Sequence, residues 1–282
     1  MKILIIDRDT DSAATLASKL RAGAHEVVEE RVKSEGIDRI ASDEPFDVIF
    51  VDPAPMKDAS AILLNIRRAI SSYPYIILMT TDEELEIEAA LAMGCNNFIR
   101  KPLEPNDIDD KIDNASNLID MIKSIGDTAE DFPSSGGVIA KSAFNQLFLS
   151  AIDRGSRYSE LAHILRIGIK NFSEIESLDG QHGAQFAVSK LAHHLVRLRR
   201  QSDIIGQTEK YEYTLLLQRI QHQNEPREAA ARFAKAIEEL DDIASATNTP
   251  IEIYVHLTSL PIGRNEPEYL LIKKGQGAVA DG

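Results

Sequence analysis

Asp47-Val48-Ile49-Phe50-Val51-Asp52 is a short apolar run closed at both ends by a carboxylate. Four consecutive β-branched or aromatic residues between charges read as a strand buried on both faces, the kind found inside a parallel sheet. Comparable runs surround it: Lys2-Ile3-Leu4-Ile5-Ile6, Ile76-Ile77-Leu78-Met79 and Asn97-Phe98-Ile99, with residues 25–32 as a fainter fifth. Amphipathic patterns at 11–22, 35–42, 59–70, 83–93 and 104–124 separate these runs and predict helices. Thr10 or Asp11 opens the first helix as an N-cap, and Gly94 stops the fourth. Short apolar strands alternating with amphipathic helices imply an α/β fold over residues 1–125, a doubly wound five-stranded parallel sheet.

Parallel strands end at a common edge, and open α/β sheets carry their chemistry there. Asp7, with Asp9 close behind, follows the first strand; Asp52 follows the third, Thr80 the fourth, and Lys101, just before Pro102, the fifth. Carboxylates, one lysine and one hydroxyl at such an edge suit a divalent cation and a phosphoryl group rather than a large organic substrate.

A length of 282 residues suggests two domains, and 43% apolar residues suffice for two cores. Residues 126–137, rich in Gly, Pro, Ser and acids, read as the linker. Residues 138–282 carry another pattern: a helix at 142–153, a strand at 162–169, a helix at 185–200, a strand at 211–217, a helix at 228–240 and a strand at 251–257. That order predicts a second α/β domain with a Gly-rich end at 273–282 that frays. No run of eighteen apolar residues occurs, the first residues enter a strand directly, and the one cysteine, Cys95, forms no disulfide framework. A cytoplasmic protein with no membrane partner is expected. The formal net charge of −14, most of it in residues 1–125, argues against nonspecific binding to nucleic acid.

Residues 1–125 resemble a response-regulator receiver domain. The resemblance implies that Asp52 accepts a phosphoryl group from a histidine kinase or phosphotransfer protein. It further implies that Thr80 bonds the phosphoryl oxygen, that Lys101 neutralises charge and that Phe98 is the aromatic coupled to activation. Around Phe98 it implies the partner or homodimer surface. Receivers carry two adjacent acids after the first strand; here Arg8 replaces the second. The metal set is therefore Asp7, Asp9 and Asp52, with Mg²⁺ binding weakened by Arg8. Arg8 is expected to reach toward Asp52.

Residues 136–260 resemble the GGDEF family of diguanylate cyclases, a second α/β domain with a mixed sheet. In that register, Glu209-Lys210-Tyr211-Glu212-Tyr213 stands where the signature pentapeptide belongs, and Gly168 stands where a metal-binding Asp belongs. Side chains at 209 and 210 obstruct the close approach to a nucleotide that two glycines permit. Glu212 alone cannot hold the metals of a phosphoryl transfer. No catalytic residue is expected, and the domain reads as a degenerate cyclase. Arg200-Gln201-Ser202-Asp203 matches the Arg-x-x-Asp product-inhibition motif, with five residues between Asp203 and Glu209. Arg232 falls near a further ligand-binding Arg, allowing one inserted residue. The resemblance thus implies cyclic di-GMP bound by Arg200, Asp203 and Arg232, with the guanidinium groups pairing with guanine or phosphate. The same arginines also suit a helix C-terminus, where cations are favoured without any ligand. Three readings follow: an adaptor that senses cyclic di-GMP and acts on an output protein, a scaffold that binds neither nucleotide nor phosphoryl group, and, least favoured, an active cyclase.

Overall fold

The computed structural model describes residues 1–42, 45–69, 73–158, 160–240, 243 and 249–273. Its contacts divide the chain into two compact units. One is Met1–Ile122 with Ala151–Glu160 and Pro261–Gly263; the other is Lys123–Ser150 with Leu161–Leu260 and the residues from Arg264 on.

The first unit contains β1 (Lys2–Ile6), α1 (Thr10–Ala22), β2 (Glu26–Glu30), α2 (Lys33–Ala41), β3 (Val48–Val51), α3 (Ala59–Ala69), β4 (Tyr75–Thr80), α4 (Ile87–Ala92), β5 (Asn97–Arg100) and α5 (Pro105–Gly126), whose residues from Lys123 on group with the other unit. The strands pair in parallel in the order β2-β1-β3-β4-β5, the doubly wound order of flavodoxin-like proteins. Every residue of β3 and β4 is buried, as helices on both faces require. Leu4, Ile6, Ile49, Val51, Ile76 and Leu78 share one core with Ile40, Leu63, Ile66 and Ala90 of the helices. Helix α4 is shorter than its pattern predicts. Asp82 N–H donates to Thr80 Oγ1 at 3.0 Å and Glu84 N–H to Asp82 Oδ1 at 2.9 Å, local side-chain bonds of a turn that occupies the segment before the helix.

The second unit holds α6 (Lys141–Tyr158), β6 (Ala162–Ile169), α7 (Phe172–Leu198), β7 (Ile204–Glu209), β8 (Glu212–Leu217), α8 (Glu225–Glu238), β9 (Ile251–Leu260), β10 (Arg264–Asn265) and β11 (Tyr269–Lys273); the early part of α6 belongs to it and residues 151–158 group with the first unit. The strand order is β10-β9-β6-β8-β7, with β11 on β9. These ladders are antiparallel, and one parallel bridge, Ile139 to Gly206, makes the sheet mixed. Helices α7 and α8 cover one face through Ile175, Val188, Leu191, Leu195, Phe233 and Ile237. Helix α7 begins thirteen residues before its predicted start; the two segments meet at Gly180, whose φ of 74° breaks the periodicity. Phe186 of α7 is 56% exposed. The predicted fraying of the C-terminus falls, from residue 274 on, outside the described residues. No helix among the described residues is long and apolar enough to cross a membrane.

Candidate functional site

Parallel register builds the first cluster. Ile6 lies opposite Val51, so Asp7 and Asp52 leave the sheet side by side. Asp52 N–H donates to Ile6 O at 2.9 Å, and Lys101 N–H donates to Thr80 O at 2.8 Å, which brings the end of β5 to the same edge. There the Lys101 ammonium donates to Asp7 Oδ2 at 2.8 Å and to Asp52 Oδ2 at 2.5 Å. The side chain of Asp7 is 1% exposed and that of Asp52 17%, so both carboxylates sit largely out of water with one shared counter-charge. Burial works against the charge on Lys101, but the bonds from Asp52 and Asp7 outweigh it and hold the ammonium above the ordinary lysine range. Thr80 is buried at the end of β4, its hydroxyl engaged by Asp82 N–H. Phe98 is half-buried on β5 with the Arg100 guanidinium 4.8 Å from its ring centre.

Two neighbours stand differently from expectation. Asp9 Oδ1 accepts from Asp11 N–H at 3.1 Å and Ser12 N–H at 3.3 Å, making Asp9 the N-cap of α1. Arg8 is exposed and forms no ion pair with Asp52, whose ionic partner is Lys101. A cation that sequence reasoning missed, Lys33, donates instead to the carbonyl oxygens of Pro53 and Ala54, the latter at 2.6 Å. Burial and then the charge of Arg8 push the Lys33 ammonium down; Asp52 and Asp58 pull it up. Among the described residues no group of three or more His, Cys, Asp or Glu side chains converges. Mg²⁺ wants oxygen ligands in near-octahedral array. Here the carboxylates of Asp7 and Asp52 share an ammonium, Asp9 caps a helix, and the nearby carbonyls carry another ammonium, so this donor set does not fit the ion.

The second cluster lies on β6, β7, β8 and β9 around Glu212, a buried carboxylate. Its Oε1 accepts from Thr208 Oγ1 at 2.7 Å and its Oε2 from Tyr254 Oη at 2.6 Å, while Thr208 and Thr214 share a hydroxyl bond of 2.7 Å. Arg166 Nη1 stands 4.0 Å from Glu212, and Arg166 Nη2 donates to His256 Nδ1 at 3.1 Å. Burial, then the Arg166 charge, push the His256 imidazole down, which keeps that nitrogen an acceptor. Burial and the Glu212 charge push the Tyr254 hydroxyl up, so it stays a donor. Gly168 pairs with Glu212 on β8 and with Tyr254 on β9. A Cβ at Gly168 would stand 2.6 Å from Tyr254 Oη and 2.8 Å from Tyr211 O, so a larger side chain has no room there. Tyr254 carries no sequence motif; only its alternation within a strand could be read.

The third cluster gathers the Arg-x-x-Asp residues. Asp203 N–H donates to Arg200 O at 3.0 Å and Asp203 Oδ2 accepts from Arg200 N–H at 3.0 Å, so residues 200–203 form a tight turn between α7 and β7. Arg200, Asp203 and Arg232 line one small surface pocket of about 20 Å³ together with Leu217, Glu225 and Pro226. The Arg200 guanidinium is 51% exposed and bonded to the Glu225 carboxylate. Glu225 Oε2 also accepts from Gln221 N–H at 2.5 Å. That backbone bond, and then Arg200, hold the Glu225 carboxyl below the usual range. Glu225, which sequence reasoning did not mark, therefore occupies the arginine that the motif offers to a ligand.

Residues 135–276, half of the chain, match the family model described as "Diguanylate cyclase, GGDEF domain". Over 112 residues, 39% of the chain, the protein is 22% identical to the alkaline phosphatase synthesis transcriptional regulatory protein PhoP of Bacillus subtilis; it spans 46% of that relative's length. A two-component response regulator from Clostridium difficile is 27% identical over 41% of this chain and 95% of its own, with a TM-score of 0.37. The GGDEF domain of PA1120 (TpbB or YfiN) from Pseudomonas aeruginosa is 16% identical over 43% of this chain and 70% of its own, with a TM-score of 0.36.

Proposed function

Because this chain belongs to the diguanylate cyclase GGDEF-domain family, we propose that it is a two-component signalling adaptor whose GGDEF domain binds cyclic di-GMP rather than making it. The observation that carries this reading is the convergence of Arg200, Asp203 and Arg232 on one pocket. Two guanidinium groups and a carboxylate can pair with the phosphates and the N–H edges of a guanine dinucleotide. Loss of cyclase activity is supported by Gly168, where no metal-binding carboxylate has room, and by Glu212, whose oxygens are already bonded by Thr208 and Tyr254. At the receiver, Asp52 is the proposed acceptor of a phosphoryl group from a histidine kinase or phosphotransfer protein, with Thr80, Lys101 and Phe98 in support. The cytoplasm is the proposed compartment, and an output protein the proposed target.

The scaffold reading has its own support. Glu225 already satisfies Arg200, and the Asp203 carboxylate closes a turn. Calorimetry with cyclic di-GMP on the full chain separates the two. Wild type binds under the receptor reading, Arg200→Ala weakens binding roughly tenfold or more, and Glu225→Gln tightens it by releasing Arg200. Absence of binding by wild type, or equal binding by Arg200→Ala, gives the scaffold reading its place. Incubation with GTP and Mg²⁺ or Mn²⁺ yields no cyclic di-GMP; product above a protein-free control overturns the loss of catalysis.

A further inference from the structure

We propose that Lys33 is a built-in cation standing where a divalent metal would stand beside Asp52, and that it closes the receiver pocket to Mg²⁺. The loop after β3 turns several oxygens toward one place. Ala54 N–H donates to Asp52 Oδ1 at 2.8 Å, which folds the loop back onto the carboxylate, and the Pro53 and Ala54 carbonyls follow directly. Carboxylate and carbonyl oxygens are the donors a hard dication prefers. Both carbonyls are taken by the Lys33 ammonium, and the other oxygen of Asp52 is taken by Lys101.

Lys33 reaches this place because it opens α2, which packs on β1 through Gly36. A Cβ at Gly36, one turn on, would stand 2.7 Å from Ile6 Cδ1, so glycine is what allows the approach. Asp9, the acid nearest to replacing the missing second carboxylate, is committed to capping α1. Arg8 adds a positive charge that reaches Lys33. A dication entering the pocket has to displace Lys33 from two carbonyls and then stand among Arg8 and Lys101. Like charges at these distances oppose it. This inference rests neither on phosphorylation of Asp52 nor on nucleotide binding.

The test is an amide NMR titration of the full chain with MgCl₂ alone, followed at Asp52, Ala54 and Lys101. Wild type is expected to show no saturable shift at millimolar Mg²⁺. Lys33→Met is expected to show one, with affinity at least about tenfold above wild type, from removal of one adjacent unit charge. Lys33→Gln serves in its place if the amide spectrum of the Met variant is not that of a folded chain. Saturation of wild type with the affinity of the variant overturns the proposal. So does failure of the folded variant to bind, because Lys33 is then not what closes the site.

Discussion

The acid cluster at the edge of the parallel sheet and the buried Glu212 of the antiparallel sheet dispose of negative charge in opposite ways. At the edge, Asp7 and Asp52 are met by ammonium groups on long stems, Lys101 and, through the adjoining carbonyls, Lys33. In the antiparallel sheet, Glu212 is met by hydroxyls of Thr208 and Tyr254, with Arg166 only at the limit of an ion pair. At a strand end a lysine can extend its head to the charge while its stem stays packed. Between paired strands there is no such approach, and short, rigid donors from neighbouring strands do the solvating. The first arrangement neutralises its carboxylates with the charge of a flexible side chain; the second fixes its carboxylate with hydroxyls of the core strands.

The largest expected effect follows from that contrast. Glu212→Ala leaves the buried Thr208 and Tyr254 hydroxyls without their carboxylate acceptor and, at about 1–3 kcal/mol for each unsatisfied buried donor, should cost about 4 kcal/mol of stability. Urea unfolding measures it. Affinity for cyclic di-GMP should not change, because Glu212 is not among the residues lining the Arg200 pocket. A loss under 1 kcal/mol would remove the distinction between the two clusters.

Somewhat smaller is the pH dependence of the second unit. Burial pushes the His163 imidazole down to about 4, and its Nδ1 is buried without a hydrogen-bond partner among the described residues. The folded state therefore resists a proton that the unfolded chain accepts near 6.5. Stability is full above that value, declines as pH falls, and levels off below about 4, a change on the order of 3 kcal/mol. Thermal unfolding from pH 8 to pH 4 should show the decline, and His163→Gln should flatten it. An unchanged slope in that variant assigns the titration to another group.

The smallest effect sharpens the account of the edge. As an N-cap, Asp9 should lose about 1 kcal/mol on replacement by Ala and much less on replacement by Ser. A metal ligand would show the reverse sensitivity: both replacements would abolish a Mg²⁺-dependent rise in melting temperature. Melting curves with and without Mg²⁺ distinguish the two.

The fold of the first unit was legible because each strand is short, apolar and buried on both faces. β1 and β3 were read from sequence with the bounds that the structure has, and the parallel order then brought Asp7, Asp52, Thr80 and Lys101 to one edge without further information. In the second unit the sequence resolved β6 but not the early turns of α7, where Gly180 interrupts the pattern. The Arg200–Asp203 turn and Arg232 were legible as a motif, and the structure sets all three beside one small pocket with Arg200 bonded to Glu225.

What fills the space beside those residues lay beyond sequence reasoning. Lys33 meets carbonyls 20 and 21 residues away, Arg200 meets Glu225 at a separation of 25, and Tyr254 meets Glu212 at 42. Periodicity records which face of an element is buried. It carries no information on which distant polar side chain arrives at a given carbonyl or carboxylate. By itself the sequence determined the strands, their common edge and the residue types standing there. Whether each carboxylate and arginine already has a partner was decided only by tertiary packing, because a buried charge takes whichever donor or acceptor the fold brings within about 3 Å.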